Sequence, residues 1–231
     1  MKTTAIFTRT LTTPTVSAFD LVRDEYSKGL KFVSNGDGTC TVSGIGTCTD
    51  TDIKIPPVYN GEKVVRIGTL AFSDCSSLTS VTIPDSVAWI GSFAFDGCKG
   101  LTSVTIPDSV TSIGEAAFYR CTNLTNVTIP DSVEEIGDGA FSSCKSLVDI
   151  TIPDSVERIG YSAFADCSSL TNITLPESVS VTSVNNGCFS RGTILMNITL
   201  PEGAIGIREH VLRNCPNLKN VAARNSVALA L

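Results

Sequence analysis

The sequence predicts a repeat solenoid, mainly β with short helical or 3-10 turns, in which each 23-residue coil lays one strand into a parallel sheet on one face. Three observations carry this expectation. Leu78, Leu101, Leu124, Leu147 and Leu170 each open a near-copy of L-x-x-V-x-I-P-D-S-V-x-x-I-G-x-x-A-F-x-x-C, each 23 residues after the last. A fixed period of that length marks stacked supersecondary units. Within a copy, Val104 and Ile106 alternate with Ser103 and Thr105, the period of a strand with one buried side. The composition leans to Thr, Ser, Val, Ile and Gly, with only 17% charged residues, which favours strands and turns over long surface helices.

In chain order, residues 1–50 read as an N-terminal segment and cap, and residues 51–231 as the solenoid, its last unit incomplete. Ser17 to Lys28 is expected to form a helix with Phe19, Leu21, Val22 and Tyr26 apolar. Strand-like Leu30 to Val33, an Asn35-Gly36-Asp37-Gly38 turn and Thr39 to Val42 then make a hairpin. Such a segment suits the lid that a solenoid needs over its first coil. The register begins at Ile53-Lys54-Ile55-Pro56 and continues past the five clear copies to Leu195–Pro201 and Leu218–Val221. Two insertions disturb it. One lies in Pro57 to Lys63, and the other, within Ser178 to Val184, stretches its unit to 25 residues.

Inside one coil, Leu101, Val104 and Ile106 are expected to point inward. Pro107, lacking an N–H, ends the strand, and Asp108 is expected to fix the turn by accepting a backbone N–H. The chain returns through Val110 and Ile113, turns at Gly114 and closes with Ala117-Phe118, read as a helical or 3-10 turn, before Cys121. Stacking turns sequence columns into ladders with rungs about 5 Å apart. Phe72, Phe95, Phe118, Phe141, Phe164 and Phe189, completed by Leu212, form the expected spine of the core. Cys75, Cys98, Cys121, Cys144, Cys167 and Cys215, interrupted by Gly192, read as small buried hydrophobes kept reduced. Cys40, Cys48 and Cys188 fall off that column. Cys40 and Cys48 flank a glycine-containing turn and either pair across it or stay reduced.

Several function classes find no support. The net charge of −6 and pI near 4.8 leave no basic stripe for nucleic acid. No apolar run approaches the roughly eighteen residues of a membrane span. Met1 to Arg9 lacks the compact apolar core of a secretory signal. A Ser-His-Asp or Cys-His hydrolase needs a histidine, and the one present, His210, sits at a variable repeat position. H-E-x-x-H, paired C-x-x-C and G-x-x-x-x-G-K-[ST] are absent, so no metal and no cofactor is expected. The acids Asp85, Asp108, Asp131, Asp154, Glu177 and Glu202 form a column of turn carboxylates. An enzyme therefore survives only as an unrecognised carboxylate pair.

The outward strand positions, from Ser80 and Thr82 to Asn197 and Thr199, form a polar, nearly uncharged face. A partner strand or glycan fits there, and so does plain strand preference for Thr. Asn172-Ile173-Thr174 and Asn197-Ile198-Thr199 are formal glycosylation acceptors that the consensus itself generates. The most informative break in the repetition is aromatic. Trp89 and Phe93 stand where other copies carry small or polar residues, and Tyr119 and Arg120 depart similarly. These residue types dominate binding hot spots, so the four are the expected partner-binding patch. The competing reading packs their rings on neighbouring coils.

The tandem copies, such as Leu101-Thr102-Ser103-Val104-Thr105-Ile106-Pro107-Asp108-Ser109-Val110, resemble the BspA-like, or treponemal-type, leucine-rich repeat family. So do the Ile-Gly-x-x-Ala-Phe-x-x-Cys segments and the lead-in Asp37-Gly38-Thr39 with Gly44-Ile45-Gly46. The resemblance runs from about Leu30 to the end. It implies a curved solenoid at the surface of, or secreted by, a host-associated microbe, often bacterial, that binds host matrix proteins or other cells. It carries over no binding residue, because the family has no fixed binding motif. The expected function is a non-enzymatic protein- or glycan-binding repeat module for adhesion or cell-surface interaction. The alternative is a structural spacer or accessory domain of a larger surface assembly.

Overall fold

The structure is a computed structural model and describes residues 25–178, 187–192, 194–200, 215–223 and 229–230. Its strands are β1 (Lys31–Ser34), β2 (Thr39–Gly44), β3 (Asp52–Lys54), β4 (Val58–Tyr59), β5 (Glu62–Ile67), β6 (Ser80–Thr82), β7 (Trp89–Ile90) and β8 (Ser103–Thr105). The remainder are β9 (Ser112–Ile113), β10 (Asn126–Thr128), β11 (Glu135–Ile136), β12 (Arg158–Ile159), β13 (Asn172–Thr174), β14 (Asn197–Leu200), β15 (Asn220–Ala223) and β16 (Leu229–Ala230).

Each coil crosses two parallel sheets. The front sheet is the expected one: β3, β6, β8 and β10 pair in parallel, Thr151 bridges to Thr174, and β13, β14 and β15 continue the array. Its register is strict, with Thr82 opposite Thr105 and Thr105 opposite Thr128. The sequence reading placed a sheet on one face only, but a back sheet forms as well, from β2, β5, β7, β9, β11 and β12. Its members after β5 are two residues long, and their inward partners Ile67, Ile90, Ile113, Ile136 and Ile159 are all fully buried. The short V-x-x-I-G return is enough because the glycine after each isoleucine lets neighbouring coils touch. A Cβ built on Gly114 would lie 2.7 Å from the carbonyl carbon of Gly91.

The helical or 3-10 turn expected around Ala117-Phe118 takes the form of single turns. Ala117 N–H donates to Gly114 C=O and Tyr119 N–H to Ala116 C=O, while the intervening N–H groups of Ala116, Phe118 and Arg120 donate to the next coil, at Asp138, Ala140 and Ser142. Ala116 and Arg120 adopt φ of 50° and 57°. Every second donor thus leaves the segment, and a helix cannot propagate. The turn after Pro107 is likewise held differently from expectation. Val110 N–H donates to Pro107 C=O, and Ser109 Oγ donates to Val87 C=O of the preceding coil at 2.6 Å. Ser86, Ser132, Ser155 and Ser178 repeat that bond, whereas Asp108 stands exposed.

At the N-terminal end, β1 and β2 form an antiparallel hairpin across the Asn35–Gly38 turn. β2 joins β5 in parallel, so the hairpin extends the back sheet. Residues 25–28 run as bends, with Ser27 N–H donating to Lys54 C=O along β3. The rest of the helix expected over 17–28 lies outside the described residues. The insertion at Pro57 to Lys63 folds back as β4 on β5 through Asn60 and Gly61, both at positive φ, the geometry of a tight hairpin. The insertion within Ser178 to Val184 lies almost wholly outside the described residues.

The core is the phenylalanine spine. Phe72, Phe95, Phe118, Phe141, Phe164 and Phe189 stack with centroids 5.2 to 5.8 Å apart and planes within 12°, and all are buried. Leu212 lies outside the described residues. Leucine, valine, isoleucine and cysteine columns pack around the spine as one continuous cluster.

Candidate interaction surface

From the coil of Phe72 to that of Phe164 the inward columns are occupied alike, so what distinguishes these coils stands outside them. The thiols belong to the inside. Cys98, Cys121, Cys144 and Cys167 are buried, and each S–H donates to the C=O of the phenylalanine in the preceding coil, at 3.1 to 3.2 Å. Burial pushes the Cys121 and Cys167 thiols up to about 12 and raises those of Cys98, Cys144 and Cys188 as well. These are inert neutral groups at physiological pH. All nine cysteines are free, so Cys40 and Cys48 do not pair: Cys40 is buried on β2, and Cys48 packs at the edge of the core.

One thiol read as off-column, Cys48, proves to be in register, while Cys188 stands off the cysteine column as expected. Cys48 N–H donates to Ile45 C=O as Cys75 N–H does to Phe72. Cys188 replaces the alanine, its C=O accepting from Phe164 N–H as Ala163 accepts from Phe141. The insertion at Pro57 to Lys63 had hidden the match of Cys48.

Of the expected patch, Trp89 and Phe93 sit on one coil, half-buried, either side of Gly91. Trp89 lies in β7 opposite Arg66 of β5, whose guanidinium stands 5.9 Å from the indole centroid. Tyr119 and Arg120 lie on the next coil and meet each other, the guanidinium 5.0 Å from the phenol centroid. Arg120 is also committed inward: it donates to both carboxylate oxygens of buried Asp96 at 3.1 to 3.2 Å, and that pairing raises its pKa. The structure pairs Trp89 with Arg66 and Tyr119 with Arg120.

Sequence reasoning missed Leu70 and Arg66. Leu70, Phe93, Ala116, Gly139, Ser162 and Gly187 form a column at positive φ, between 50° and 68°. This left-handed backbone costs a bulky side chain about 1–2 kcal/mol. Glycine, alanine and serine suit the position, yet Leu70 and Phe93 occupy it in adjacent coils, Leu70 being 57% exposed. Leu70 N–H donates to Ser92 C=O, directly beside Phe93. The signal was present in the sequence as Leu70, 23 residues before Phe93.

The front face is polar as expected, with Thr82, Thr105, Thr128, Thr151 and Thr174 exposed in one file. Towards its C-terminal end Asn220 Nδ2 donates to Asn197, and Asn197 Nδ2 to Asn172. Both formal glycosylation acceptors are thus members of a side-chain ladder. The acidic column is exposed at Asp85, Asp108, Asp131, Asp154 and Glu177. Glu202 and His210 lie outside the described residues. Among the described residues no group of three or more His, Cys, Asp or Glu is placed to hold a metal ion. Among them, too, no helix is long and apolar enough to cross a membrane.

Comparison with known proteins agrees with this architecture. A family model described as a BspA type leucine rich repeat region matches in six copies, over residues 47–168 and 112–229. The crystal structure of the leucine-rich repeat protein of T. pallidum is similar at 30% identity and a TM-score of 0.67, over 85% of this chain and 81% of that one. A leucine-rich repeat protein from Bacteroides ovatus is similar at 25% identity and a TM-score of 0.56, over 84% of this chain and 70% of that one. No curated protein matches the sequence.

Proposed function

The chain belongs to the BspA-type leucine-rich repeat family, and from that premise we propose that it is a non-enzymatic binding module. It holds a protein or glycan through outward residues that break the repeat, in adhesion or other cell-surface interaction. The observation that carries the reading is Phe93: a half-exposed aromatic at a φ of 56°, in a column otherwise filled mainly by small residues, contributes nothing that the buried spine requires. The residues proposed for contact are Trp89 and Phe93, with Tyr119 and Arg120 on the adjoining coil. Placement at a cell surface is part of the proposal and rests on the family alone. Residues 1–50 act as the cap of the array, their hairpin covering the N-terminal edge of the back sheet. The non-enzymatic reading is supported by the acids, which fall in columns set by turn geometry and, in the case of Asp96, serve an ion pair.

The test is capture by immobilised protein of matrix proteins and glycans, with the Trp89→Ala, Phe93→Ala double variant in parallel. Saturable binding that the variant loses while keeping its melting temperature supports the module. Binding by neither protein leaves a structural spacer in a larger surface assembly.

A further inference from the structure

Resting on that reading, we infer that the docking site is a patch of four residues on the first two coils, Arg66, Leu70, Trp89 and Phe93, and that its partner is an acidic protein segment carrying large apolar side chains. The four occupy two columns in two successive coils. Arg66 and Trp89 face each other in register across β5 and β7, and Leu70 and Phe93 follow each of them by four residues, at the left-handed position of the turn. The later coils do not repeat the pattern: the same positions hold Ser112 with Ala116, Glu135 with Gly139, and Arg158 with Ser162. Leu70 stays largely in solvent at a backbone position that suits small residues, so folding does not explain its bulk.

The charge of the partner follows from Arg66. Arg120, Arg158 and Arg191 each pair with a carboxylate, Asp96, Glu135 and Asp166 respectively. Arg66 is exposed, and among the described residues no carboxylate lies within ion-pair reach of it. Its guanidinium stands over the indole of Trp89, and its charge reaches Asp37, whose pKa it helps to lower, without closing an ion pair. A cation over a ring, flanked by two exposed apolar side chains, complements a carboxylate next to leucine or phenylalanine. It complements a neutral glycan less well, since Leu70 offers no hydrogen bond.

Trp89 is the only tryptophan in the chain, so its fluorescence reports the patch directly. The experiment titrates the whole protein with two synthetic peptides, one alternating glutamate with leucine and phenylalanine, the other carrying glutamine in place of every glutamate. Saturable change in emission with the acidic peptide, weaker by about tenfold or more with the amide peptide, Arg66→Gln or Leu70→Asn, is the expected result. Leu70→Asn separates docking from folding: asparagine tolerates the left-handed backbone, so the melting temperature should hold or rise by up to about 4 °C while binding falls. Tyr161→Ser, exposed on a later coil, should bind as the unaltered protein does. Equal response to both peptides, undiminished binding by Leu70→Asn, or response only to glycans overturns the assignment. If matrix proteins are still captured in that event, the binding module stands and only this patch and partner fail.

Discussion

Phe95 and Phe118 stack with centroids 5.2 Å apart and planes 6° from parallel, though 23 residues separate them in sequence. Each ring covers both neighbours, so truncating one opens a gap on two sides. Phe118→Ala should cost about 3–5 kcal/mol, the range for removing a buried phenylalanine with little collapse of the cavity. Urea denaturation measures it. A loss under about 1 kcal/mol would mean that the coils can slide together, contrary to the fixed hydrogen-bond register.

Gly114 makes a sharper test, because all three of the atoms nearest to an added Cβ are backbone. Gly114→Ala brings a methyl to 2.7 Å from Gly91 C and Ser92 N, and should cost about 1–3 kcal/mol by overpacking. Gly139→Ala should cost clearly less. Its nearest atom would be 3.9 Å away, and Ala116 already occupies the same column at a φ of 50°. Matched melting curves of the two variants decide the order.

The serine ladder predicts a modest, repeated effect. Ser132→Ala removes the Oγ bond to Val110 C=O, 2.7 Å long, and should lower stability by about 0.5–1.5 kcal/mol. Asp131→Ala, one residue earlier and exposed, should cost less. Reversal of that order would restore the acid as the turn-forming residue.

The buried thiols make stability fall in alkali. Their folded-state pKa is raised, from an ordinary 9.0 to about 12 for Cys121, so above pH 9 the unfolded chain sheds protons that the folded chain keeps. Stability is fully present below that pH and declines as pH climbs towards 12. Melting temperature followed from pH 8 to 11 should drop, and Cys121→Ala should flatten the fall. Alkylation at pH 8 should mark Cys48, Cys75 and Cys215 long before Cys144, which a mass spectrum resolves.

The fold was legible because its cause is repetition: Leu101, Val104, Ile106 and Phe118 recur at a fixed interval and their counterparts are buried from Phe72 and Leu78 to Leu195 and Leu200. What the sequence hid lay where bonding is not local. The back sheet is only two residues wide in most coils, too short for alternation to show. The N–H groups of Ala116 and Phe118 bond to another coil, which no local propensity reveals. Asp108 was read as fixing the turn, and the bond of Ser109 escaped notice because its acceptor lies 22 positions away. At the candidate surface, Trp89 and Phe93 were visible as departures from the consensus. The strain at Leu70 and the inward commitment of Arg120 required backbone angles and contacts.

Among the described residues, β1 at one edge of the back sheet and β16 at one edge of the front sheet run antiparallel to their neighbours. Because every interior junction repeats the same rings, thiols and glycines, unequal recombination within the gene can add or delete one coil between existing neighbours without redesigning either terminus. That arrangement lets the display surface change in extent over evolutionary time.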